Sequence, residues 1–99
     1  MIRHVVSFKL SAVDAAAREL AATEIVAALE ALPAVIPEIL AFEVGRNVAY
    51  PDSNWDIVLI SDFASLEALE AYQVHPDHQK VVAIVRERVS TRSSVDFEV

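Results

Sequence analysis

The chain has 99 residues, of which 55% are hydrophobic and 23% charged, and its mean hydropathy is +0.38. That is one domain's length, and it is too apolar for intrinsic disorder. Fifteen Asp and Glu against eight Lys and Arg give a net charge of -7, which argues against a nucleic-acid-binding face. The absence of cysteine removes disulfides, thiolate metal sites and a cysteine nucleophile together.

The opening residues alternate. Ile2, His4, Val6, Phe8 and Leu10 share one face of an extended strand, with Arg3, Val5, Ser7 and Lys9 on the other. Their apolar run is too short and too interrupted for a signal peptide. No window approaches the length of a membrane span, so the cytoplasm is the expected location. Ser11 is the expected N-cap of a helix reaching about Leu32, with Asp14 near its positive end and Pro33 as its stop. Within it Ala21, Ile25, Ala28, Leu29 and Leu32 form the inward stripe.

A connector to Pro37 precedes a second strand at about Ile39–Asn47, with a break expected near Gly45, the single glycine. Tyr50 to Asn54 reads as a loop. A third strand, Trp55–Phe63, alternates, placing Trp55, Ile57, Leu59, Ser61 and Phe63 together. Ser65 caps a short helix from Leu66 to about Val74. His75 caps a second helix that Pro76 begins and that turns Val81, Val82 and Val85 inward to about Arg88. The last strand, Val89–Val99, alternates with Val89, Thr91, Val95, Phe97 and Val99 on the expected core side.

Strand, helix, strand, strand, broken helix, strand is the order of the split βαβ, ferredoxin-like fold. That predicts an α+β domain with a four-stranded antiparallel sheet and its helices on one face. The other sheet face is expected to carry Val5, Ser7, Ala41, Glu43, Val58, Ile60, Arg92 and Ser94. Val5, Val58 and Ile60 make it more apolar than a solvated face needs to be. A second copy of the chain is the simplest cover for it; scattered surface apolar residues are the plainer reading.

Chemistry rests on few residues. His78 begins a stripe with Val81, Val82 and Val85 and should point inward. Tyr72, three residues after Leu69, points the same way, and His4 lies on the inward face of the first strand. Two histidines and a tyrosine between sheet and helices would form a polar cluster in an apolar pocket, the character of a small-ligand site. Each also has a structural reading: hydrogen-bonded core histidines, and a ring packed with its hydroxyl on a carbonyl. No metal site is expected at the histidines. His75 and His78 are thrown to different faces by the helix start at Pro76, and Asp77 is the only carboxylate in that segment. One glycine excludes a phosphate-binding loop, and no cofactor is implied.

The opening Ile2-Arg-His-Val-Val-Ser-Phe-Lys9, the Ile36-Pro37 pair and Phe42-Glu-Val-Gly-Arg-Asn47 resemble the stress-responsive A/B barrel domain family. So do Leu69-Glu-Ala-Tyr-Gln-Val-His-Pro-Asp-His-Gln-Lys80 and the closing Val95-Asp-Phe-Glu-Val99. The resemblance spans residues 1–99 and implies one such domain, a homodimer in which two sheets face each other to form an α/β barrel. One plant polyketide cyclase of this fold closes a linear poly-β-ketone by intramolecular aldol condensation. By that resemblance His78 is the general base and Tyr72 the hydroxyl that orients it or polarises a carbonyl, with His4 lining the same pocket. The alternative is a non-enzymatic stress-associated protein whose histidines are structural. Cofactor-free monooxygenase chemistry is a third expectation, by analogy of fold alone.

Overall fold

The computed structural model describes residues 1–99. Strand β1 (Ile2–Leu10) leads to helix α1 (Ala15–Glu30) and a 3-10 turn at Leu32–Ala34. Strands β2 (Ala41–Arg46) and β3 (Ile57–Phe63) follow, then α2 (Leu66–Val74), α3 (Pro76–Arg86) and β4 (Val89–Glu98). The four strands form one antiparallel sheet in the order β2-β3-β1-β4. This is the ferredoxin-like α+β arrangement that the element order predicts, with β4 as an edge strand. No helix is long and apolar enough to cross a membrane.

The alternation of β1 and β3 becomes burial. Ile2, His4, Val6, Phe8 and Leu10 are buried, as are Ile57, Leu59, Ser61 and Phe63, and α1 covers them with Ala21, Ile25 and Leu29. Leu69 and Tyr72 of α2 and Val81 and Val85 of α3 complete that layer.

Four expectations are corrected. Helix α1 is capped by Asp14, whose Oδ1 accepts the Ala17 amide at 2.9 Å. Ser11 instead ties the end of β1 to the α3–β4 connection, its amide and its hydroxyl both donating to the Arg88 carbonyl (3.0 and 3.1 Å). The helix also stops at Glu30, because the turn containing Pro33 replaces its last residues. Strand β2 is not broken at Gly45, which pairs with Val58 in regular register. A side chain there would have its Cβ 3.3 Å from Val58 Cγ1, so the glycine lets the two strands approach closely.

The fourth correction is the face of β4. Leu10 pairs with Val89, whereas Lys9 pairs with Thr91, so a bulge at Ser90 inserts one residue and inverts the alternation beyond it. Val89 packs against the core. Past the bulge Val95 and Phe97 pair with Val5 and Arg3 on the face away from the helices, where they are 62% and 43% exposed. Arg92, Ser94 and Asp96 pair with Phe8, Val6 and His4 and so stand on the helix side. The uncovered face therefore has a longer apolar row than expected: Val5, Val58, Ile60, Val95 and Phe97.

Candidate functional site

The space between the sheet and helices α1 and α3 is not closed. A cleft of about 450 Å³ opens beside β4, with Phe8, Leu29 and Val82 among its walls and His4, Tyr72 and His78 among its polar groups. The three residues singled out from the sequence thus line one cleft. Local structure explains why. His4 sits on the inward phase of β1, Tyr72 on the buried side of α2, and the chain restarts as α3 at Pro76 with the His75 ring accepting the Asp77 amide at 3.1 Å. That restart turns His78 back over Tyr72, their ring centroids 4.2 Å apart. The Tyr72 ring lies 4.9 Å from Phe63 and 6.2 Å from His4.

The hydrogen bonds decide what each ring presents. His78 Nδ1 lies 3.1 Å from the Gln73 carbonyl. A carbonyl only accepts, so Nδ1 carries the proton and Nε2 is the free nitrogen. Burial pushes the His78 pKa down, opposed by the Gln73 hydrogen bond, with His4, Arg92 and His75 adding to the decrease. The ring is therefore neutral near pH 7, with a lone pair on Nε2. His4 is 3% exposed and is held through Nδ1 by the Asp96 carboxylate. Asp96 reaches it because the bulge in β4 places it opposite His4.

Tyr72 is the anomaly of the interior. It is fully buried, yet its hydroxyl has no hydrogen-bond partner. Burial pushes its pKa up to about 12, a rise partly offset by the positive charge of Arg92. At neutral pH the group is thus a protonated donor with nothing to donate to, beside a neutral imidazole. Ser61, next to His4 on the inner face, is likewise buried without a partner. Buried hydroxyls normally find partners, and leaving one unsatisfied costs about 1–3 kcal/mol. Of the two, Tyr72 lines the cleft, whereas Ser61, opposite His4 in the β1–β3 pairing, does not.

Sequence reasoning missed Asp96 and Arg92. It placed Arg92 on the outer face, and the inverted phase of β4 brings it to the cleft. The available signal was His4 itself, since a buried imidazole on β1 needs a partner from a neighbouring strand.

A dimeric protein of unknown function with a ferredoxin-like fold from Bacteroides fragilis is 35% identical, with a TM-score of 0.89 over 99% of this chain and 95% of that one. A dimeric ferredoxin-like protein of unknown function from Thermobifida fusca is 30% identical, with a TM-score of 0.81 over 99% and 90%. A hydroxynitrile lyase from Passiflora edulis, 14% identical with a TM-score of 0.78 over 99% and 92%, shares the fold alone. No curated protein matches the chain. The profile of the stress responsive A/B barrel domain matches residues 2–99, and the chain belongs to that family.

Proposed function

We propose that this protein is a homodimer that binds a small, partly apolar carbonyl compound in the cleft and performs proton-transfer chemistry on it. The observation that carries this reading is the buried, unpartnered Tyr72 hydroxyl packed against a neutral His78. A carbon acid flanked by carbonyls would give its proton to His78 Nε2, and the Tyr72 hydroxyl would donate to the oxygen on which the enolate charge develops. His4, fixed by Asp96, would hold the substrate's other polar end. An aldol ring closure, as the polyketide cyclase resemblance implies, needs those two roles and no redox partner. The cytoplasm is its expected setting.

The homodimer rests on the outer sheet face. Val5, Val58, Ile60, Val95 and Phe97 form a row that no helix covers, and the relatives from Bacteroides fragilis and Thermobifida fusca are dimeric. Two such faces packed together give the barrel and leave the cleft, on the opposite face, free.

Exchange of the proton between the carbonyls of ethyl acetoacetate in heavy water, followed by NMR, tests the chemistry. The expected result is acceleration of about 100-fold over an equal concentration of imidazole, lost in His78→Ala and Tyr72→Phe while the fold is kept. The His78–Gln73 and His4–Asp96 hydrogen bonds favour a second reading, a non-enzymatic protein with structural histidines. It predicts no acceleration by the unaltered protein, and a lowered melting temperature in His78→Ala.

A further inference from the structure

We propose that the cleft selects an anionic ligand, a small carboxylate with an apolar body, and that Arg92 is the residue that reads its charge. The inference rests on the small-molecule reading above and adds the substrate class. Of the eight Lys and Arg residues, Arg3, Arg18, Arg46, Lys80 and Arg88 each stand against a carboxylate. Lys9, Arg86 and Arg92 do not.

In a chain of net charge -7, a cation without a carboxylate is the unusual case, and two of the three line this one cleft. No Asp or Glu lines it. Arg86 occupies the last turn of α3, where the helix dipole stabilises a cation in any event, so Arg92 carries the argument. Its placement depends on the bulge at Ser90, which turns it onto the helix side opposite Phe8. Its charge is felt at both Tyr72 and His78.

A guanidinium presents a planar fork that matches a carboxylate. With the carboxylate at Arg92 near the mouth, the apolar body would lie along Val81, Val82 and Val85 and any carbonyl further in would reach Tyr72 and His78. The remaining polar lining consists of donors and neutral groups. An anion would therefore meet no carboxylate on the lining itself, whereas a cationic ligand would face two arginines.

The test compares octanoate with octanol, probes of equal chain length that differ in charge, by amide NMR titration of the full chain. Octanoate is expected to bind about tenfold more tightly than octanol. Arg92→Gln should abolish that preference and leave octanol binding unchanged. Arg92→Lys, which keeps the charge without the fork, should retain part of it, and Lys9→Gln, which removes an unpaired cation elsewhere, should retain all of it. Equal binding of the two probes by the unaltered protein, or a preference that survives Arg92→Gln, overturns the inference while leaving the cleft a ligand site. Failure of both probes to bind overturns the inference together with the small-molecule reading itself.

Discussion

Replacing Tyr72 by phenylalanine should stabilise the protein while removing its chemistry. The ring is packed on both sides, 4.9 Å from Phe63 and 4.2 Å from His78 by centroid, and phenylalanine keeps those contacts. Only the hydroxyl is lost, and it has no partner to leave behind. Burying such a group without a hydrogen bond costs about 1–3 kcal/mol, so its removal should return about 1 kcal/mol or more. For a domain of this size, that raises the melting temperature by about 4–8 °C.

The phenol supplies an independent measurement of the same burial. Its pKa rises from 10.0 to about 12 on folding, so between those values the folded state holds a proton that the unfolded state releases. The stabilisation is complete below pH 10 and is lost as the pH rises through about 12, a difference of about 3 kcal/mol. Thermal and urea unfolding of both proteins, at neutral pH and along an alkaline series, give both quantities. The reasoning is refuted if Tyr72→Phe lowers the melting temperature, because the hydroxyl then has a partner. It is refuted equally if the alkaline loss persists unchanged in the variant.

Three further outcomes are expected. Because burial pushes the His78 pKa below its ordinary 6.5, stability should be flat above about pH 7 and fall as the pH drops from about 6.5 toward the lower folded value; urea midpoints should show that slope, and His78→Gln should remove it. Asp56→Ala should destabilise by about 2 kcal/mol, read by urea unfolding, since the Asp56 carboxylate accepts the Leu10 amide at 2.8 Å and pairs with Arg18, joining the end of β1 to α1. Val58→Asp or Ile60→Asp should convert a dimer of twice the 10.9 kDa chain into a monomer by sedimentation velocity; a dimer that persists in both would remove the sheet-to-sheet packing.

What was legible in the sequence was whatever depends on neighbours along the chain. The alternation of β1 and of β3 from Ile57 onward, the inward Ala21, Ile25 and Leu29 of α1, the caps at Ser65 and His75 and the inward turn of Tyr72 and His78 are all local, and each stands where the spacing puts it; Trp55 lies before β3 and Leu32 beyond α1. The cap of α1 was ambiguous because Ser11 and Asp14 both carry a capping oxygen and lie three residues apart. Asp14 caps the helix, and Ser11 is held instead by the Arg88 carbonyl, 77 positions away. Nothing in a local window reports that contact.

Strand β4 shows the deeper limit. A period of two divides a strand into two faces but does not say which one meets the core; the pairing register with the next strand decides that. One bulged residue at Ser90 therefore reassigns every side chain from Thr91 onward. The reassignment is consistent with the chemistry on both sides. Val95 and Phe97 facing the helices would have sent Asp96 outward and left the buried His4 ring without its carboxylate. Facing outward, they extend the apolar row of Val5, Val58 and Ile60, while Asp96 reaches His4 and Arg92 reaches the cleft. The phase beyond the bulge thus brings a carboxylate to a buried imidazole 92 positions away. That same phase sets the polar wall of the cleft and the apolar face that we assign to the second copy.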